Sequence, residues 1–529
     1  MSQKFKNQNT YDILVISDDV VGQKMAGPGI RAWELSRCLA HNFQVVLAVP
    51  DYSEINLATE EGPFEIVLYS LSRPNRLKEI AQKSKIILTQ GYVLSKFPFL
   101  KKLSSYLIVD LYVPFPLENL FVHKWKLKSR EEREIIHRND LRVFNEQILY
   151  GDHFLCASQR QRDLFLGCLL SLNRITPETL DNDPDLRQLI SVVPFGIEEE
   201  GEPSKEIEYV FPMEEEREEA AELFLKESIS SGEISKSFDQ KKAASLSRHK
   251  EGKLAEFRES APLESSPGPI RKYFQGGRED FVLLWGGVIT NWFDPLTLLK
   301  AVKKVSAVEP RIKLFFLSTG HPNPLLPEFD MAREAIQLAK KLELMDKFVF
   351  FHDKWVEYRR RGEYFSDADI GVSIHRLHFE TYFSFRTRIL DYFKYELPII
   401  CTEGDYLAEI IEEKKLGYVV PDGDEENLAE AILKMMKDPY IRQKMKLNIR
   451  QIKPLFYWSR VTQPLLMYCQ KALAGQVKKV GGQRVNEITS LLTKPRTPFR
   501  EVGKRILGHI WPKMSHSSLG VKVRKYLGK

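Results

Sequence analysis

The sequence predicts an α/β chain of two domains, each an open parallel sheet with helices on both faces, with an acidic insertion between them and a basic C-terminal tail. Three observations predict it. Short apolar runs alternate with helical stretches through residues 11–199 and again through 273–470. Several of these runs end at glycine or proline, as in Pro194-Phe195-Gly196, Gly286-Gly287 and Ser318-Thr319-Gly320. At 529 residues the chain has room for two or three domains, each large enough to bury a core.

In the first half, strands are expected at Tyr11–Ser17, Phe43–Val49, Phe64–Leu71, Lys85–Leu88, Tyr106–Val109, His153–Ala157 and Ile190–Val193. Helices are expected at Ile30–Ala40, Arg130–Leu149 and Gln159–Leu170. The loop ahead of Ile30 carries Gly22, Gly27, Pro28 and Gly29, and Arg31 follows in the first turn. Two readings are open for this loop. Its glycines let a ligand approach backbone N–H groups at a helix start, or they make a tight turn that packs helix on sheet. The G-x-G-x-x-G spacing is absent. Ligands of open parallel sheets sit beyond the carboxyl ends of the strands, and Asp110 and Tyr112 follow a strand directly. Asp110 therefore either faces a cleft or caps a loop.

Residues 200–272 are acidic at first, then rich in Ser, Lys and Glu, and read as a linker with one exposed helix at Glu214–Lys226. Strands resume at Phe281–Trp285, Lys313–Leu317, Phe348–Phe351, Ile370–Ile374, Ile399–Cys401 and Gly417–Val420. Asp294-Pro295 starts a helix, with Asp as cap and Pro in the first turn, and another helix is expected from Glu426 to Met436. The stretch 367–405 reads as strand, polar loop, helix and strand. Its helix is expected to run about three turns to Tyr395 and to stop before Leu397-Pro398. Ser384, Arg386, Thr387 and Arg388 stand at the start of that helix, and free N–H groups beside two guanidiniums make a candidate anion site. The alternative is that both arginines lie on the surface or pair with Glu380 and Asp391.

The net charge of +6 hides a split. Residues 471–529 hold 14 Lys/Arg against 2 Asp/Glu, a local +12, so the preceding 470 residues carry −6. The tail mixes these cations with Leu492, Phe499, Ile506, Ile510, Trp511 and Leu519, which suits an anionic membrane surface or a solvated tail. Nucleic acid has the same charge requirement and is ranked below both. The five cysteines show no paired or metal-like spacing, so a reducing cytoplasm is expected. The N-terminal MSQKFKNQNT leads into a strand without the apolar core of a signal peptide, and no apolar run reaches membrane-spanning length. Asp367-Ala368-Asp369 stands at a helix-to-strand junction and reads as a cap and strand entry, so no metal site is expected.

Several segments together resemble one family. They are MAGPGIRAWELSRCLA (25–40), ISVVPFGIE (190–198), LLWGGVITNWFDPLTLLKAV (283–302), FFHDKWVEYRRRGEYFSDADIGVSIH (350–375), FETYFSFRTRILDYFKYELPIICTEGD (379–405) and LGYVVPDGDEENLAEAI (416–432). They are similar to the retaining GT-B glycosyltransferases called glycosyl transferases group 1, or family 4. The resemblance implies two Rossmann-like domains facing a cleft, with acceptor binding in residues 1–199 and nucleotide-sugar binding in 273–455. It also implies a helix at 456–473 that crosses back to the first domain, ahead of the tail at 474–529. By its spacing to Pro398, Asp391 matches the family's carboxylate for the ribose hydroxyls. The family has a second glutamate eight positions earlier; Phe383 stands there, and Glu380 is the nearest upstream carboxylate. Between Gly286 and Leu299 the chain has no Lys or Arg, so Arg386 and Arg388 are the replacements for the family's basic pair.

The resemblance further implies donor contacts at Gly286, Gly287, Ser384 and Trp355, the last stacking on the base or else filling a core. Glu380 and Asp110 are the catalytic candidates, Gly27, Gly29 and Arg31 form the acceptor-side loop, and His123 and His153 rank lower. The implied activity is metal-independent, hexosyltransferase-like transfer from a nucleotide-diphosphate sugar to a polysaccharide or glycolipid acceptor. The leaving diphosphate takes the acceptor proton, and no cofactor is needed beyond the donor. A nucleotide-sugar epimerase and a catalytically inactive binding protein of the same fold are the alternatives.

Overall fold

The computed structural model describes residues 10–52, 62–126, 129–199, 267–321, 323 and 329–482. The expected helix at Glu214–Lys226, the side chain of His123 and the tail from residue 483 lie outside the described residues.

Apolar runs without polar alternation need cover on both faces, and parallel sheets between helical layers supply it. The first sheet holds β1 (Tyr11–Ile16), β2 (Val45–Pro50), β3 (Glu65–Tyr69), β4 (Ser84–Gln90), β5 (Tyr106–Asp110), β6 (His153–Cys156) and β7 (Ile190–Val192). Its order is β3-β2-β1-β4-β5-β6-β7, all parallel, with Ile13 beside Val45 on one edge and Ile86 on the other. The second sheet holds β8 (Phe281–Val288), β9 (Ile312–Ser318), β10 (Val349–Phe351), β11 (Ile370–Ser373), β12 (Ile399–Thr402) and β13 (Gly417–Val420). Its order is β10-β9-β8-β11-β12-β13, again parallel. The chain reverses its winding between β1 and β4 and between β8 and β11, and each reversal opens a crevice at the carboxyl ends. All expected strands form, with ends shifted by at most three residues.

Local chemistry sets the helix starts. The helix Gly27–Ala40 begins three residues earlier than expected, because Pro28 suits the first turn. A Cβ on Gly29 would stand 2.0 Å from the Val20 carbonyl oxygen, so only glycine lets the helix start rest on that loop. Asp294 caps the helix Pro295–Ser306, its side chain accepting from the Thr297 N–H at 3.1 Å.

One expectation needs correction. The single helix predicted up to Tyr395 is two short helices, Phe379–Phe383 and Arg388–Lys394. Ser384 is extended (φ −69°, ψ 145°), and its hydroxyl donates to the Glu380 carbonyl at 3.3 Å and to the Glu380 carboxylate. This side-chain bonding competes with the helical ladder and ends it. The second helix, at seven residues, is too short to carry the proposed anion site by its N-terminus, so that reading passes to the arginine side chains.

The two sheets are joined near the cleft. Ile197 donates to the Phe456 carbonyl at 2.8 Å, Trp458 donates to the Ile197 carbonyl at 3.0 Å, and the Trp458 ring lies 5.0 Å from Phe195. The helix Gln463–Leu473 then returns over the first sheet, where Tyr468 stacks on His153 at 3.9 Å. His153 is fully buried with Nδ1 2.8 Å from the Gln188 carbonyl, and burial lowers its pKa to about 4. It is a core residue there and does not line the cleft described below. Residues 477–481, expected within the basic tail, line the first domain instead. Tyr106 donates to the Val477 carbonyl at 2.7 Å, and Asp152 accepts from the N–H groups of Val480 and Gly481 at 2.8 and 2.6 Å. No helix among the described residues is long and apolar enough to cross a membrane.

Candidate active site

A cleft of about 390 Å³ lies beyond the carboxyl ends of β1, β5, β7, β8 and β10. The first domain contributes Gly27, Tyr112, Glu118 and Phe195; the second contributes Gly286, Gly287, Trp355, Arg361, Arg386, Arg388 and Asp391.

Gly286 donates its N–H to the Tyr392 hydroxyl at 2.9 Å, and a Cβ there would press on Phe365 at 2.8 Å. Gly287 has φ +148°, a conformation that side-chain-bearing residues rarely adopt. Together they bring the end of β8 flat under Arg388. The Arg388 guanidinium lies 3.8 Å from the Phe293 ring centroid and 4.6 Å from that of Trp285, and Nη2 donates to the Val288 carbonyl at 2.9 Å. Its Nη1 is buried without a hydrogen-bond partner among the described residues. Burial lowers its pKa to about 10, with Arg386 and Arg361 adding to the effect and Tyr392 and Asp391 opposing it. A desolvated cation held on aromatic faces, beside two other cations, is a site that an anion would relieve.

Arg386 leans on the same Phe293 ring at 5.3 Å and donates from Nη2 to Glu380 at 3.1 Å. The Glu380 side chain is 1 % exposed and also takes the Ser384 hydroxyl. Glu380 and Ser384, expected beside the sugar and the donor, thus sit behind Arg386 and are absent from the cleft lining. The break between the two helices turns them there.

Asp110 and Arg31 are displaced in the same way. Arg31 Nε donates to Asp110 Oδ2 at 2.6 Å and Nη2 to Oδ1 at 3.0 Å, while its other bonds go to the Pro194 and Val193 carbonyls at 3.0 and 2.9 Å. The two side chains are 0 % and 1 % exposed, so neither reaches the cleft. They hold the ends of β5 and β7 against the helix Gly27–Ala40, and so position Tyr112 and Phe195, which do line it. Of the acceptor-side loop, Gly27 lines the cleft while Gly29 is sealed against Val20.

Asp391 faces the cleft with one oxygen engaged, Oδ2 accepting from Arg361 Nη2 at 2.5 Å. Burial raises its pKa and Arg361 opposes the rise. Trp355 lines the cleft beside His321, ring centroids 5.9 Å apart, and its indole N–H is buried without a partner among the described residues. The sequence singled out none of Glu118, Arg361, Lys394 and His321. The run Arg359-Arg360-Arg361 was a visible signal, but adjacent helical residues point different ways and only packing selects Arg361.

At the edge of the cleft Lys394 pairs with Glu198 at 2.5 Å, and on the helix Gly27–Ala40 Arg37 donates to Glu34 at 2.8 Å. Glu34 is fully buried with its other oxygen unpaired. Burial raises its pKa to about 7, Arg37 opposing and Glu198 adding. Its neutral form suits the fold, so the stability it contributes is fully present below pH about 4.5 and is lost as pH rises through about 7. Glu34→Gln is expected to flatten the dependence of melting temperature on pH between 5 and 8. An unchanged slope would remove Glu34 from that role.

Residues 280–438 match the family model described as "Glycosyl transferases group 1". No curated protein matches the chain. Among solved structures, Anabaena Alr3699/HepE in complex with UDP and glucose is 12 % identical with a TM-score of 0.54 to 0.56 across its UDP and UDP-with-glucose forms, covering 88 % of this chain and 100 % of that one. Sucrose-phosphate synthase from Thermosynechococcus elongatus is 14 % identical with a TM-score of 0.50, covering 88 % of this chain and 99 % of that one. An E. coli trehalose-6-phosphate structure bound with UDP-2-fluoro glucose is 11 % identical with a TM-score of 0.50, covering 87 % and 99 %. At these identities the likeness is one of fold: two parallel-sheet domains about a cleft, the GT-B arrangement. The matched family segment holds Gly286, Gly287, Arg361, Arg386, Arg388 and Asp391 of the cleft, and none of the first domain.

Proposed function

We propose that the protein is a retaining group 1 (family 4) glycosyltransferase that moves a sugar from a nucleotide-diphosphate sugar to a glycan or lipid-linked acceptor. The observation that carries this reading is the trio Arg361, Arg386 and Arg388 in one cleft between two parallel sheets, with Arg388 buried and lacking a carboxylate partner among the described residues. A diphosphate supplies the missing negative charge, and the guanidinium fork suits its oxygens. The free oxygen of Asp391 accepts from ribose hydroxyls, and Trp355 offers a face to the base. Neighbours of this fold in complex with UDP make uridine nucleotides the first donors to test.

In the proposed step, the bond between the sugar's anomeric carbon and the diphosphate oxygen breaks while the acceptor oxygen bonds to that carbon on the same face. The acceptor proton passes to the departing phosphate oxygen. Charge grows on the diphosphate, where Arg388 and Arg386 are preorganised to stabilise it, and Glu380 holds Arg386 in place. Titration calorimetry with a panel of nucleotide sugars is expected to find one that binds. Failure of every donor would overturn the reading.

The burial of Glu380 favours a second reading, a protein that binds a nucleotide sugar without turning it over. Release of nucleoside diphosphate in the presence of an acceptor extract separates the two. Membrane attachment belongs to residues 483–529 in this proposal. Removing them is expected to reduce sedimentation with anionic liposomes, and equal sedimentation would end that idea.

A further inference from the structure

Glu118 is the cleft carboxyl with no assigned task. It stands in the first turn of the helix Phe115–Lys126, reached from β5 through Tyr112, and it lines the cleft. Among the described residues its carboxyl makes no hydrogen bond or ion pair, whereas the other cleft carboxylates are engaged. Asp391 holds Arg361, Glu198 holds Lys394, and Asp19 accepts from Asn323 at 2.6 Å. The helix Phe115–Lys126 packs against the helix Phe379–Phe383, and the charges of Glu380 and Arg386 act on Glu118. Tyr112 is its titratable neighbour on the first-domain side, and burial holds that phenol protonated.

We propose that Glu118 is the first-domain group that binds the transferred sugar. The proposal rests on the glycosyl-transfer reading and deepens it. A diphosphate set against Arg388 and Arg386 leaves the sugar on its outer phosphate facing Glu118. Glu118 is half-buried and lines the cleft. Enclosure and the nearby charge of Glu380 push its pKa up to about 8, with Arg386 opposing, so at neutral pH it is a carboxylic acid. A neutral carboxyl both donates and accepts, which matches the paired hydroxyls of a sugar. Arg386 is held by Glu380 and is not free to neutralise an ionised Glu118.

The test compares the best-binding nucleotide sugar of the calorimetric panel with its nucleoside diphosphate alone. The ratio of the two affinities isolates the sugar's contribution from that of the diphosphate. Glu118→Ala is expected to reduce the ratio roughly tenfold while leaving nucleoside diphosphate affinity unchanged. Glu118→Gln, which keeps a donor and an acceptor, is expected to preserve the ratio at pH 7. In the parent the ratio should fall as pH rises from 7 to 9, and in Glu118→Gln it should not. Melting temperatures verify that both variants are folded. A ratio indifferent to both replacements and to pH overturns the role of Glu118 while nucleotide binding stands. Absence of nucleoside diphosphate binding overturns the glycosyl-transfer reading and this one with it.

Discussion

Asp110→Ala is expected to lower unfolding free energy by about 3–5 kcal/mol, the cost of leaving one partner of a buried ion pair uncompensated. Arg31 is 0 % exposed and would keep only the Val193 and Pro194 carbonyls. The midpoint of chemical denaturation reads the loss; a drop under about 1 kcal/mol would mean that the site relaxes enough to hydrate the guanidinium. Replacing both partners by apolar residues, Asp110→Leu with Arg31→Met, is expected to recover much of it, since a well-packed apolar pair avoids the desolvation of two ions. Folded Asp110→Asn is expected to bind nucleotide within a few-fold of the parent, because the side chain does not reach the cleft. A large loss of turnover at unchanged stability and affinity would return Asp110 to a catalytic role.

Arg388→Leu is expected to act in the opposite direction on stability and affinity. The parent holds a desolvated guanidinium near two other cations, with one N–H group unpaired and no carboxylate in ion-pair contact among the described residues. An apolar residue on the Phe293 and Trp285 rings removes that strain, so the melting temperature should rise or hold. Nucleoside diphosphate affinity should fall ten- to a hundredfold, as expected for losing about 1.5–3 kcal/mol of charged hydrogen bonding. Arg388→Lys is expected to restore little, because an ammonium neither stacks flat on Phe293 nor spans two phosphate oxygens. Affinity equal to the parent in Arg388→Leu would move the anion site elsewhere. A calorimetric signal retained there but lost in Arg361→Leu would move it to Arg361.

The strands were legible because their signal is local. Runs such as Ile13–Ile16 and Leu283–Trp285 are apolar at every position, and burial on both faces of a parallel sheet is the environment that tolerates this. The cap at Asp294 was equally local. The broken helix between Phe383 and Arg388 was not. Phe385, Ile389, Leu390 and Phe393 keep helical spacing across the break, and the hydroxyl of Ser384 bonding to Glu380 is a tertiary choice that periodicity does not register.

Residue types and their order were enough to specify two parallel-sheet domains and the strands on either side of the loop and helices at 367–405. Which side chains face the cleft was decided by packing. Asp110 follows its strand as a ligand-binding residue would, yet Arg31, 79 positions away in sequence, draws it inward. Glu380 and Ser384 turn behind Arg386, while Glu118 and Arg361, neither of them singled out from the sequence, line the opening. The physical reason is that a carboxylate's role depends on where its counter-ion lies. Arg31 and Asp110, like Arg386 and Glu380, meet only after the chain folds.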